Sequence, residues 1–165
     1  MLIRCIRPDD SEKFVKLVKT VENESKYMLF EPGERVMEPD QQKRRIEAME
    51  KEGNSTIILA EDHDSLIGYL IAIGSNAKRK KHSAYLVIGI LHEYRGRGVG
   101  TKLFKYLEEW AIEHHIHRLE LTVIANNEAG LGLYKKMGFV TEGIKKHSLL
   151  INEEYVDEYY MAKLL

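Results

Sequence analysis

Apolar positions along the chain alternate between short runs and helical stripes. Leu2 to Ile6 is an apolar run ended by Pro8, and Asp9, Asp10 and Ser11 supply cap residues ahead of Phe14, Val15, Leu17, Val18 and Val21 at helical spacing. A strand followed by a helix is the expectation. Between Glu24 and Asp40 the stretch SKYMLFEPGERVMEP holds two prolines and a glycine, which predicts an irregular loop despite its apolar centre. A helix over Pro39 to Lys51 comes next, then strands at Thr56 to Ala60 and Leu66 to Ile73 around the turn Asp62-His63-Asp64-Ser65.

The second half repeats the alternation without repeating the sequence. Ala84 to Leu91 reads as a strand, and Val99, Leu103, Tyr106, Leu107, Trp110 and Ala111 then fall on one helical face. Leu119 to Ile124 reads as a strand, and Asn126 and Asn127 cap a short helix through Lys136 that Gly138 ends. Strands at Phe139 to Ile144, His147 to Ile151 and Tyr155 to Met161 close the pattern, the last two joined by a hairpin turn at Asn152-Glu153-Glu154. With no linker in view, residues 1–165 are expected to form a single mixed α+β domain on one central sheet.

Charge and cysteine content narrow the function classes. Lys+Arg 25 against Asp+Glu 26 leaves a net charge of -1, which lacks the broad positive field of a nucleic-acid coat or a membrane-surface protein. Cys5 is the single cysteine, so no internal disulfide framework exists. The start MLIRCIRPDD carries no apolar leader and no apolar stretch is long enough to span a bilayer, so a cytoplasmic protein without membrane or nucleic-acid partners is expected. His114, His115 and His117 sit at a helix end without acidic or cysteine partners at ligand spacing, and no metal is expected.

The candidate chemistry lies in Arg95-Gly96-Arg97-Gly98-Val99-Gly100, between an expected strand and the clearest expected helix. Glycines let backbone approach a ligand closely, and free N–H groups at a helix start form an anion site. The segment fails the P-loop spacing, because Thr101-Lys102 stands where Gly-Lys-Ser/Thr is required. It also misses the third glycine of a dinucleotide fingerprint, although Glu120 lies at a suitable distance; a nicotinamide oxidoreductase is thereby weakened.

Arg95, Gly98 and Gly100 instead fit an Arg/Gln-x-x-Gly-x-Gly/Ala pattern, and LELTVIANNEAGLGLYKKMGF follows at the right separation. Through these two linked motifs the chain resembles the GNAT N-acetyltransferases. The resemblance implies a central, largely antiparallel sheet flanked by helices, and acetyl-CoA as cosubstrate without a metal. It implies that the backbone of Ile88, Gly89 and Ile90 pairs with the pantetheine arm and that Arg95, Gly96, Arg97, Gly98, Val99 and Gly100 hold the pyrophosphate. Asn127 matches the position contacting the cofactor arm, and Tyr134 the position whose hydroxyl approaches the sulfur as general acid. Direct transfer to an amine then needs an oxyanion donor and a proton acceptor but no enzyme nucleophile.

Departures from the family pattern fall at His92, where many members have proline, at Gly130 and Gly132 inside the expected helix, and at Thr122. The branch that acetylates ribosomal-protein alanine carries a glutamate base at the position of Thr122. Glu120, on the same strand face, is the substitute base named here, with His82, Glu31 and Glu34 as others. The acceptor groove is expected from Tyr27, Met28, Phe30, Glu31, Glu34, Arg35 and the segment Tyr155 to Tyr160, whose aromatic and acidic groups suit a cationic amine on a small molecule, a polyamine or a peptide. Many relatives are dimers, and a homodimer fits the terminal hairpin. A non-catalytic acetyl-CoA sensor is the alternative, favoured by Thr122 and opposed by Tyr134.

Overall fold

Phe14, Leu17, Val18 and Val21 drive the first helix onto a sheet, and burying each contributes roughly 1.5–3 kcal/mol. The structure is a computed structural model describing residues 1–165, with seven strands in one sheet and four α-helices. The elements are β1 (Leu2–Cys5), α1 (Ser11–Glu24), α2 (Pro39–Glu52), β2 (Thr56–Asp62), β3 (Ser65–Gly74), β4 (Ser83–Ile90), α3 (Val99–Glu113), β5 (Arg118–Ile124), α4 (Glu128–Lys136), β6 (Val140–Ile151) and β7 (Glu154–Leu164). No helix is long and apolar enough to cross a membrane.

Local chemistry sets several boundaries. Pro39 opens α2 at a position where its missing N–H is not needed, and Gly53 at φ 70° ends it in the left-handed conformation that glycine adopts at low cost. Asn127 caps α4 by accepting a hydrogen bond from the Gly130 N–H at 3.0 Å. The 25–38 segment is irregular, as Pro32 and Gly33 within it and Pro39 at its end predict. One expectation changes: the two strands foreseen before the last turn are a single β6, with register shifts between Thr141 and Gly143 and between Lys145 and Leu149, and with His147 at φ 47°. Extra residues are absorbed as bulges, so pairing with β7 continues past them.

The sheet order is β1-β2-β3-β4-β5-β7-β6, and every neighbouring pair is antiparallel except β4 and β5. Cores form on both faces. Ile58, Ala60, Leu70, Ala72, Leu119, Leu121 and Val123 meet α3 and α4 on one side, while Ile57, Leu59 and Tyr69 meet α1 and α2 on the other. Strand alternation therefore sends Thr122 and Glu120 to the face opposite α3 and α4. There they join Tyr85, Glu158 and Tyr160 by register, beside the ground held by α1 and α2.

Candidate active site

The parallel pair β4 and β5 is in register for three residue pairs only, Ser83 with Arg118, Ala84 with Leu119 and Tyr85 with Glu120. Beyond them the strands part, and Leu86–Ile90 and Leu121–Ile124 line the two arms of a fork in the middle of the sheet. Ile88, Gly89 and Ile90 lie on the β4 arm. Gly89 is required here for space, since a Cβ would stand 2.6 Å from the ring of Tyr69 on β3, itself buried and edge-on to Phe14.

The β4 arm runs into the glycine turn. Gly96 and Gly98 take φ of 72° and 79°, and Gly98 is the N-cap residue of the 15-residue α3, with no side chain bonded to the free N–H groups. A Cβ at either glycine would meet nothing within 4 Å, so both bare backbone faces are open. Gly100 serves packing instead: its Cβ would lie 2.7 Å from a methyl of Leu133 on α4. The Val99 side chain is buried in the core, and Val99 opens α3 directly after Gly98. Arg95 folds back to donate to the Ile90 carbonyl at 3.1 Å, and Arg97 lies over the Tyr94 ring at 5.5 Å. An open strand edge leading to an uncapped helix start fits an extended pantetheine arm ending in a pyrophosphate.

On the β5 side, α4 presents Tyr134. Its ring packs edge-on against Phe104 at 5.8 Å, and burial first, then the nearby Tyr85, pushes its pKa up to about 12. The phenol therefore holds its proton at neutral pH. On the opposite face the Tyr85 Oη and the Thr122 Oγ1 are hydrogen-bonded at 2.8 Å, where the two strands separate. Nothing in the spacing of these residues, 37 apart in sequence, marked Tyr85 as a site residue; only its place opposite β5 does.

Glu120 faces the same side but lies toward the closed end of the fork. Arg118 Nε donates to it at 2.9 Å, Lys80 Nζ stands 3.6 Å away, and Arg118 also clamps Glu142. Those bonds, to Glu142 first, raise the Arg118 pKa and lower that of Glu142. Both Glu120 oxygens are thus already engaged by cations. The His82 carbonyl accepts from the N–H groups of His117 and Arg118, which also puts it at the closed end.

The loop after α1 straps the open end. Tyr27 Oη reaches the Asn126 carbonyl at 3.5 Å, and the Glu24 carboxylate accepts from the His92 N–H at 2.8 Å. Arg35 stacks on Phe30 at 4.5 Å and pairs with the buried Glu22. Glu34 accepts from the Glu31 N–H within its own turn at 2.8 Å, and both remain exposed. Tyr155 is not brought to the fork. It stacks on His147 at 5.2 Å near the hairpin tip, five residues, or about 17 Å of strand, from Tyr160.

Comparison with known proteins agrees with this architecture. The acetyltransferase (GNAT) family profile matches residues 21–139, and the chain belongs to that family. The L-amino acid N-acetyltransferase AaaT of Escherichia coli is 33% identical over 116 residues, covering 70% of this chain and 71% of that protein. Among solved structures, a GNAT-family acetyltransferase from Streptococcus pneumoniae superposes with a TM-score of 0.95 at 28% identity, covering 99% of this chain and 98% of that one. The yncA protein of Salmonella typhimurium, solved with its cofactor acetyl-CoA, has the same fold with a TM-score of 0.87 at 16% identity, covering 99% of this chain and 93% of that one. The protein is an acetyl-CoA-dependent N-acetyltransferase, with the expected largely antiparallel sheet flanked by helices.

Proposed function

We propose that residues 1–165 act as one N-acetyltransferase domain that moves the acetyl group of acetyl-CoA directly onto a primary amine in a ternary complex. The observation that carries this reading is the fork: a donor channel that opens on the α1/α2 face beside the Tyr85/Thr122 pair, with the buried, protonated Tyr134 nearby. Bound acetyl-CoA supplies a thioester carbonyl with a thiolate leaving group.

The chain's own groups then have separate tasks. Gly96, Gly98 and the first N–H groups of α3 hold the pyrophosphate, while the backbone edge of Ile88, Gly89 and Ile90, unpaired by β5 and with Arg95 on the Ile90 carbonyl, aligns the arm and offers an N–H to the carbonyl oxygen. Asn127 keeps α4 in register through its cap, and its amide nitrogen is the group assigned to the cofactor arm. Tyr134 protonates the departing thiolate, a transfer that requires the phenol to start protonated. The acceptor enters from the α1/α2 face between the strap at Tyr27 to Arg35 and β7.

The relatives point to acceptors to test. AaaT is an L-amino acid N-acetyltransferase, and another relative, from Escherichia coli, is a spermidine N(1)-acetyltransferase, 33% identical over 64 residues. Free L-amino acids come first because that likeness spans most of both chains. Purified protein is incubated with acetyl-CoA and L-amino acids, spermidine or a short peptide, and thiol release is followed. Amine-dependent release with an acetylated product supports the reading; release that no amine accelerates overturns it.

A further inference from the structure

Two carboxylates are buried in this chain, and they are treated differently. Glu22, 4% exposed, is paired with Arg35. Glu158, 9% exposed on β7, takes part in none of the chain's ion pairs, and its one hydrogen-bond partner is the Ser148 hydroxyl, which donates to Oε1. A buried carboxylate ordinarily acquires a cation, because desolvating an unpaired charge is strongly unfavourable.

Its position says which cation is suitable. Glu158 pairs in register with Ile124, the last residue of the β5 arm, and is the diagonal neighbour of Thr122, whose own partner is Tyr160. Diagonal neighbours stand about 7–8 Å apart between Cα atoms, within reach of a glutamate side chain and one small group. Residues paired in this way share a sheet face, so Glu158 lies on the side of Tyr85, Thr122 and Tyr160, at the open end of the fork. Lys145 faces Glu158 across β6 and β7, but its ammonium lies over the Tyr160 ring at 5.9 Å. Glu120, by contrast, is held by two cations at the closed end.

We propose that Glu158 receives the ammonium of the acceptor and takes its first proton, the role for which Glu120 was named from sequence. The inference rests on the transfer to a primary amine set out above. The step balances. R–NH3⁺ gives one proton to the Glu158 carboxylate, directly or through one water, and the neutral nitrogen forms the C–N bond to the thioester carbon. The C–S bond then breaks, the remaining proton of the N–H that is lost ends on the coenzyme sulfur by way of Tyr134, and Glu158 releases its proton to solvent. Ser148 fixes one carboxylate oxygen and leaves the other for the amine.

The test is Glu158→Gln assayed against the best L-amino acid acceptor of the wild type and against hydroxylamine, which is neutral at ordinary assay pH. General-base removal lowers kcat/KM for the amino acid by about 100-fold or more, with acetyl-CoA affinity unchanged, and by less than about 10-fold for hydroxylamine. Amino-acid kinetics within about threefold of wild type overturn the assignment, as does an equal loss on both acceptors. Should Glu158→Gln fail to bind acetyl-CoA, Glu158→Asp decides: bound acetyl-CoA with at least about a tenfold loss on the amino acid supports the role, and wild-type kinetics overturn it. A wild type that acetylates no amine overturns the underlying reading, whereas an active wild type with an equally active variant overturns the Glu158 role alone.

Discussion

Tyr85 and Thr122 are joined hydroxyl to hydroxyl at 2.8 Å where β4 and β5 cease to pair. The bond bridges the base of the fork on the face where the acceptor is proposed to enter, and it ties the two arms together there. Tyr85 is 37% exposed, and a neutral hydrogen bond of this kind contributes about 1 kcal/mol net. Tyr85→Phe and Thr122→Val are each expected to leave the fold intact and to lower kcat/KM for the amine by about tenfold, with less effect on acetyl-CoA binding. Because one bond is broken in either case, the double variant should lose little more than a single one, and a double-mutant cycle on kcat/KM checks this. Fully additive losses would show that the two hydroxyls act separately.

The glycine turn separates conformational from steric demands. Gly98 sits at φ 79° with open space around its Cβ direction, so a side chain there is strained by the backbone and intrudes only on what binds outside. Gly98→Val is expected to cost about 1–2 kcal/mol in stability and to raise the apparent acetyl-CoA constant at least about tenfold. Gly132 on α4 is the control: it has ordinary φ and open space, and Gly132→Ala should gain up to about 1 kcal/mol with acetyl-CoA kinetics unchanged. Isothermal titration with acetyl-CoA and urea unfolding measure the two effects independently.

Most of the elements were legible because their signals are local. Helical spacing gave α1 and α3, Pro39 and Gly53 bracket α2 near where the sequence puts it, and the Arg95 to Gly100 turn carries its own backbone requirement. The acceptor side was not legible in the same way. Tyr85 becomes a site residue only because β5 is placed next to β4, a pairing set by strand order. Glu158 falls within the segment Tyr155 to Tyr160 expected to line the acceptor groove, but nothing in the sequence singles it out there, because its burial without a cation depends on β6 bulging past it to bring up Ser148. Conversely, Glu120 has a suitable spacing, but Arg118 and Lys80 close around it through contacts that a one-dimensional pattern does not encode.

The strap over the open end depends on Arg35. Its guanidinium stacks on Phe30 and pairs with Glu22, which is otherwise alone in the α1/α2 core beside Tyr69. Truncating one partner of a buried pair costs 3–5 kcal/mol in full burial, and Arg35 is about a third exposed, which reduces this to roughly 1–3 kcal/mol. Arg35→Met should therefore lower stability by that amount and loosen residues 25–38, read as faster proteolysis of the segment. Adding Glu22→Gln removes the uncompensated charge, so the double variant is expected to recover part of the loss. Unchanged stability in Arg35→Met would place the anchoring of the strap elsewhere.

The proposed proton donor, Tyr134, also bears on alkaline stability. Its ring fills a core slot against Phe104 and Phe139, while its hydroxyl has no protein hydrogen-bond partner, so Tyr134→Phe should change stability at neutral pH by less than about 1 kcal/mol. Turnover is expected to fall by about 100-fold as the leaving thiolate loses its proton donor. The pH dependence follows from burial, which lifts the phenol from 10.0 to about 12. Below pH 10 both folded and unfolded chains hold this proton. Between 10 and 12 the unfolded chain releases it and the folded chain does not, so stability falls progressively, by up to roughly 3 kcal/mol from this group alone. Tyr69, also raised by burial, adds a loss of the same sign. The wild type should therefore lose stability steeply between about pH 10 and pH 12 in urea titrations, and Tyr134→Phe should lose less while keeping the Tyr69 share. Identical alkaline slopes in the two proteins would mean that water reaches the Tyr134 hydroxyl well enough to ionise it, and would overturn the burial of that hydroxyl.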